Sequence, residues 1–475
     1  MTRGGAKRVS GLLRSAALSA RRWMSLLGPL LLLGTVPAGA QSLEEALSAA
    51  YATNPTLQAA RAALRATNEQ VPQALSNWRP RVTLEGSGGV QELDSTNGSS
   101  SLSSSDEAIT SYPLSAELSV TQPLYRGGRT QADTRRAEAT VWAGRANLVD
   151  SEQDVLFRSA SAYMDVWRDQ SVLELTQNNE RVLARQLEAA QDRFEVGEIT
   201  RTDVAQSETR LARATGDRVE AEGNLTASRA IFEELMGFGP SVLESAPPVP
   251  GLPASQAEVN ALSQENNPGV LAAKFSEEAE RHNVRLQFGQ LLPELSLVGT
   301  LAHIQDNNST TDETDRARIL AELSVPLYQQ GFVSSQIREA KQRASQRRIE
   351  VDEARRRVGQ EAITAWEALQ TARAQIEAFQ AGVQSAGIAL EGVRQENAVG
   401  ARTILDILDA EQEFLDAQVN LVRAQRDAIV ASYQVLQASG RLTARHLGLP
   451  VTLYDPQLDL EKVRDIWFGF GSIPD

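Results

Sequence analysis

The chain has 475 residues, a formal charge of −14, no cysteine, and three histidines, His282, His303 and His446. The missing cysteine excludes disulfides, thiolate metal centres, a cysteine nucleophile and an N-terminal lipoprotein anchor. The scattered histidines offer no His-x-His or His-x-x-x-His metal pair, and the acidic balance argues against nucleic acid as a partner.

Residues 1–40 carry Arg3, Lys7, Arg8, Arg14, Arg21 and Arg22 and no acid, then an apolar run that ends in Ala38-Gly39-Ala40. A basic start, a short apolar run and an Ala-x-Ala site predict a signal peptide cut before Gln41. The run contains Pro29 and falls short of the ~20 residues of a comfortable membrane span. Removing the segment leaves a charge of −20 and places the chain outside the cytoplasm. No later stretch offers about 18 consecutive apolar residues, so any passage through a membrane must be made by β-strands.

Proline divides the rest. None occurs over residues 124–239 or 327–449, two windows of 116 and 123 residues rich in Ala, Glu, Gln, Arg and Leu. Proline costs about 3 kcal/mol inside a helix, so both windows predict long helices. Between them Pro240, Pro247, Pro248, Pro250 and Pro253 mark an extended linker. The windows are copies. Pro123-Leu124-Tyr125 matches Pro326-Leu327-Tyr328, Val196-Gly197 matches Val399-Gly400, Asp203 matches Asp406, and Gly237 matches Gly440, all at an offset of 203. Upstream, Asn54-Pro55 and Asn267-Pro268 are 213 apart. A register held this long signals internal duplication.

The predicted organisation is a signal peptide (1–40), a first repeat (41–240), a proline-rich linker (241–266), a second repeat (267–445) and a C-terminal tail (446–475). Each repeat has a short helix (54–78; 267–291), a β-hairpin (80–125; 293–328) and a helical hairpin turning near 197 or 400. Val82, Leu84, Gly86, Gly88 and Val90 alternate with polar residues, as do Leu114, Ala116, Leu118 and Val120. Leu295, Leu297, Gly299 and Leu301, then Ile319, Ala321, Leu323 and Val325, repeat the pattern. Alternation over ~10 residues predicts strands with one apolar face, long enough to cross a bilayer when tilted. A soluble hairpin packed on a helix gives the same alternation, but the long polar loops at 92–111 and 304–317 favour lipid. Four strands cannot close a barrel, so two, three or four copies would give 8, 12 or 16 strands.

The first long helix, about 128–196, would extend ~104 Å. It can turn at Gly197 and return on two stacked pieces, 201–236 and 267–291. Val155, Ala162 and Val166, then Ile363, Trp366, Leu369 and Ile376, predict seams between packed helices. At the turns, Gly197 and Gly400 end helices, and Thr200-x-x-Asp203 and Thr403-x-x-Asp406 have the spacing of capping boxes. Capping leaves Asp409 unexplained. It shares a helix face with Asp406, and copies meeting here would stack carboxylate rings that attract cations.

Leu43-Glu44-Glu45-Ala46-Leu47 with Asn54-Pro55, the Pro-Leu-Tyr segments, Arg193-Phe194-x-Val196-Gly197 and the run from Val399-Gly400 through Arg402 to Asp409 together resemble the TolC family of outer-membrane efflux and secretion channels. The resemblance covers essentially the whole mature chain. The tail, with Leu453-Tyr454-Asp455-Pro456 and Val463-x-x-x-Trp467, looks like the branch serving TolC itself and type I secretion. The resemblance implies an α+β membrane protein: a homotrimer whose twelve strands form one barrel in the outer membrane of a Gram-negative bacterium, continued by an antiparallel α-helical tunnel in the periplasm. It implies an adaptor meeting the tips at Val196, Gly197, Val399 and Gly400, and an inner-membrane ABC or proton-driven exporter behind it. Asp406 and Asp409 match the family's entrance carboxylate rings. Arg402 matches the arginine that latches the inner hairpin to the outer one through positions matching Thr202 and Asp203. The chain departs from the family's prototype at Asn397, where the prototype has a gate-locking tyrosine. With no nucleotide-binding motif, metal cluster or nucleophile constellation in the sequence, the expected function is a passive exit duct rather than an enzyme, with no cofactor. The rival from another class is a soluble periplasmic coiled-coil scaffold or adaptor.

Overall fold

The structure, a computed structural model, describes residues 41–93, 109–308 and 311–469. The expected signal peptide and most of the first hairpin loop lie outside them. The described elements run α1 (Leu43–Thr53), α2 (Pro55–Asn68), α3 (Gln70–Leu75), β1 (Arg81–Gly88), β2 (Gln91–Leu93), β3 (Ile109–Ser111), β4 (Leu114–Arg126), α4 (Arg129–Glu195) and α5 (Arg201–Met236). They continue with α6 (Gln256–Asn266), α7 (Pro268–Phe288), β5 (Glu294–Asn308), β6 (Thr311–Ser324), α8 (Phe332–Ala398), α9 (Ile404–Ala438), α10 (Ala444–Leu447) and α11 (Pro456–Arg464).

The duplication survives in three dimensions. α4 and α8 each have 67 residues, about 100 Å at 1.5 Å per residue. α5 and α7 both pack along α4, so the chain returns from the far end in two pieces. Besides α10 and α11 near the C-terminus, two helices exceed the expected outline. α1 precedes the first expected helix, and α6 fills 256–266 of the span expected as linker, which is extended only as far as Ser255. One cause serves both. The prolines of Asn54-Pro55 and Asn267-Pro268 push the preceding asparagine to extended backbone (ψ 124° and 125°), ending one helix. The same asparagine side chain then caps the next helix. The pair therefore marks a joint between two helices rather than an outer end.

The sheet has the order β1-β4-β5-β6. Its register aligns the apolar alternation across all four strands. Val82 pairs with Val120, Val120 with Gly299 and Gly299 with Ile319. One row on, Leu84, Leu118, Leu301 and Ala317 stand side by side. The rows between are polar: Thr83, Ser119, Thr300 and Arg318, then Glu85, Glu117, Ala302 and Arg316. Among the described residues nothing covers the apolar face, for Leu84 and Ile319 are 76% and 77% exposed. A hairpin packed on a helix would bury them. β1 and β6 are left as free edges of this sheet.

The main helical core sits at mid-length, where α1, α4, α5 and α9 meet around Leu47, Leu156, Tyr163, Met164, Phe232 and Leu436. The Tyr163 hydroxyl, held by burial at a pKa of about 12, donates to a hydrogen bond shared by the Gln41 and Glu244 carbonyls, 2.7 and 2.8 Å away. It ties Gln41, just ahead of α1, to the segment that follows α5. The expected α4 seam of Val155, Ala162 and Val166 is buried. Of the expected α8 seam, Leu369 is buried and Trp366 packs partly covered against the same cluster, but Ile363 is exposed and the rest of the buried stripe is Val358, Ala362, Ala365 and Ala372. Small residues let the neighbouring helices approach closely, and the larger apolar side chains are pushed to the flank.

Sheet meets helix at a close backbone crossing. Gly127 lies at φ +62° against the Gly289 carbonyl, and a Cβ on it would stand 2.4 Å from that oxygen. Beside it Glu294 accepts from Arg126 at 3.3 Å and from Arg129 at 2.6 Å, joining the end of β4 and the start of α4 to the start of β5.

Candidate functional site

The expected site residues gather at the tips of the two helical hairpins, the end of the chain farthest along α4 and α8 from the sheet. The turns are built alike. Gly197 and Gly400 adopt φ +81° and +79°, a left-handed conformation that glycine reaches without a Cβ clash. The Glu198 N–H donates to the Arg193 carbonyl, and the Ala401 N–H to the Glu396 carbonyl, each at 2.9 Å. The following helices open with complete capping boxes, Thr200 with Asp203 and Thr403 with Asp406. Val196 and Val399 stand 72% and 80% exposed at the apex.

Capping fixes what these carboxylates do within one chain. Asp203 Oδ2 accepts from the Thr200 N–H at 2.9 Å and hydroxyl at 2.8 Å. Asp406 Oδ2 accepts from the Thr403 N–H at 2.9 Å and hydroxyl at 2.7 Å. The Thr403 hydroxyl, then its N–H, then the charge of Arg402 hold the Asp406 carboxyl below its ordinary 3.8. The stabilisation this gives is present above the ordinary value and is lost only as pH falls through the lowered one, so the cap is fully formed at neutral pH. Thr403→Ala removes a cap worth about 1 kcal/mol. Amide exchange at Asp406, whose N–H the Thr403 hydroxyl accepts, is expected to rise about five-fold, with the Thr200 cap unchanged.

Arg402 and Asp203 are not brought together within the chain. Arg402 Nε donates to Glu396 at 2.8 Å, and its guanidinium lies 3.9 Å from Asp406. Asn397 does not link the hairpins either. Its amide closes its own turn by donating to the Arg402 carbonyl at 2.8 Å. Thr202 lies in the first turn of α5, exposed.

At the tip the hairpins are joined by a pair that spacing did not reveal. Arg210 of α5 forms a charge-assisted hydrogen bond with Asp409 of α9. Beneath it Leu408, 2% exposed, packs with Leu183 of α4 and Ala214 of α5. A second pair, Arg394 with the buried Glu411, ties α8 to α9. The tip thus holds an apolar contact, a surface ion pair across the two hairpins and several exposed acids.

Known proteins share the duplicated fold that carries these tips. The family described as Outer membrane efflux protein matches residues 46–237 and 260–441, one span per repeat. The chain is 35% identical over 450 residues to the outer membrane efflux protein BepC of Brucella suis, covering 93% of this chain and 95% of that one. It is 29% identical to the outer membrane protein TolC of Vibrio cholerae, covering 86% and 94%. The crystal structure of VceC, an outer membrane protein of Vibrio cholerae, superposes with a TM-score of 0.71 at 20% identity, over 84% of this chain and 96% of that one.

Proposed function

This chain belongs to the outer membrane efflux protein family, and we propose that three copies of it form one duct gated at the helical tips. Membership places it in the outer membrane as an efflux channel, with a β-barrel and a helical tunnel as its fold. The observation that carries the reading is the sheet: four strands with aligned apolar rows, an uncovered apolar face and two free edges. An open edge is not tolerated in lipid, so β1 of one copy pairs with β6 of the next, and three copies supply twelve strands. A soluble scaffold would have no use for that face. Exposed Trp142, Ile363 and Ile388 on the long helices are suited to contacts between copies.

In this reading the tip is closed by the Arg210–Asp409 pair, with Asp406 and Asp409 of three copies ringing the entrance. Arg402 and Asp203, each held by a local partner in one copy, meet between copies, with Thr202 beside them. A periplasmic adaptor seats on Val196-Gly197 and Val399-Gly400. An ABC or proton-driven exporter supplies the energy, since the duct itself only conducts. Pull-down of tagged protein from crosslinked cells is expected to recover one adaptor and one exporter, whose class identifies the machine. Val399→Asp should abolish that recovery while leaving the protein in the outer membrane. Undiminished recovery would move the adaptor site away from the tips.

A further inference from the structure

We propose that the C-terminal tail is a membrane-surface anchor, with Ile466, Trp467 and Phe468 seated in the periplasmic leaflet of the outer membrane at the foot of β1. The proposal rests on reading β1, β4, β5 and β6 as the membrane-spanning sheet.

The tail is not a loose end. α11 lies against α2 and α3. Its Val463 is buried, and Leu460 packs on the cluster of Val71, Ala74, Ala137 and Val141. Tyr454 donates to Asp459 at 2.6 Å, and Arg464 pairs with Glu138 of α4 at 3.4 Å. These contacts steer the chain along the helical layer toward the sheet, and α11 ends there.

The next residues then do what the end of a soluble domain does not. Ile466, Trp467 and Phe468 are consecutive, large and apolar, and Phe468 is 88% exposed. They are held in that position by Arg79. Its Nη1 donates to the Ile466 carbonyl at 2.7 Å, and its guanidinium stands 4.8 Å from the centroid of the Trp467 ring. Arg79 is two residues before the first residue of β1, hence about 7 Å below the strand at ~3.3 Å per residue. Trp467 is thereby fixed at the level where the apolar rows begin. Exposed Trp78, Tyr125 and Tyr328 mark the same level at the corresponding ends of β1, β4 and β6. Trp and Tyr favour the membrane–water interface, and arginine reaches from it toward water while its stem stays among apolar groups. The spacing Val463-x-x-x-Trp467 gains a meaning: the valine fastens the tail to the helices, and the tryptophan meets the lipid. Continuity with the strand feet, rather than exposure alone, identifies lipid as the occupant.

The chain has no cysteine, so single-cysteine spin labelling has no background. The full mature protein carrying Phe468→Cys, reconstituted into phosphatidylethanolamine–phosphatidylglycerol vesicles, is compared with Leu84→Cys on the apolar face of β1 and Leu458→Cys on the exposed side of α11. Power saturation reads access to oxygen, which partitions into lipid, against a water-soluble nickel chelate. Position 468 is expected to favour oxygen, as position 84 does, while 458 favours nickel. If 84 favours oxygen but 468 behaves like 458, the tail lies in water and the proposal fails. If 468 is shielded from both reagents, a neighbouring copy covers it and the proposal again fails. If 84 itself favours nickel, the membrane reading of the sheet has failed instead.

Discussion

Arg210→Glu is expected to open the closed duct. In planar bilayers at about 0.1 M salt, where screening reaches ~10 Å, its conductance should exceed the parent's several-fold. The double variant Arg210→Glu, Asp409→Arg should return it to the parent level. The reason is geometric. Arg210 and Asp409 are 199 residues apart and join the two hairpins at the tip. Reversal replaces an ion pair by two like charges, whose repulsion near a protein surface is about 4 kcal/mol at 4 Å before the side chains move apart. Asp409 is more than half exposed, and solvent reduces the net effect to the order of 1 kcal/mol per copy. In an assembly of three copies the effect acts three times, on a tip whose apolar contact is confined to Leu408 and a few neighbours. An unchanged conductance in Arg210→Glu would show that the pair does not hold the tip closed.

The largest effect on assembly is expected at Gly127. Gly127 and Gly128 both have positive φ, +62° and +73°, so alanine is strained at either by about 1–2 kcal/mol. Only Gly127 also meets backbone. A Cβ there falls 2.4 Å from the Gly289 oxygen and 2.8 Å from Leu292 Cβ, whereas at Gly128 nothing lies within 4 Å. Gly127→Ala must therefore part the end of β4 from the end of α7, at the point where barrel becomes tunnel. It should lower the amount of assembled protein in the outer membrane by an order of magnitude or more, roughly what a loss beyond 1.4 kcal/mol implies. Gly128→Ala should lower it far less. Equal losses would mean that backbone conformation, not the crossing, limits assembly.

The contrast between legible and hidden features follows the range of the forces. Helix ends are set by local chemistry, so Gly197, the Thr200 capping box and Gly237 delimit α5 at 201–236, as expected from the sequence. α4 lies within one residue of expectation at each end. The strand alternation is equally local, and its register across four strands follows once the apolar faces align. Features set by packing were not visible. The Arg210–Asp409 pair depends on how α5 meets α9, and no spacing encodes it. The α8 stripe was caught at Leu369 but missed at Ala362, Ala365 and Ala372, because alanines make much of the contact and carry little hydropathy signal. Capping, by contrast, is local: the boxes expected of Thr200 with Asp203 and Thr403 with Asp406 are both complete. Histidine spacing offered no metal pair, but strand pairing sets His303 2.8 Å from Asp315 and 3.7 Å from Glu313. Cross-strand neighbours of this kind are invisible until the register is known.

The central claim is that copies of this chain close a barrel through β1 and β6, and cysteine crosslinking in the outer membrane tests it most directly. Leu84→Cys on β1 is combined with cysteine at successive positions 317–323 of β6, and intact cells are oxidised before electrophoresis. Three copies in a closed ring predict dimer and trimer bands at one register, with the trimer as the end point and nothing larger. Monomer at every register, or a ladder that closes at two or four or runs on past three, would contradict the account.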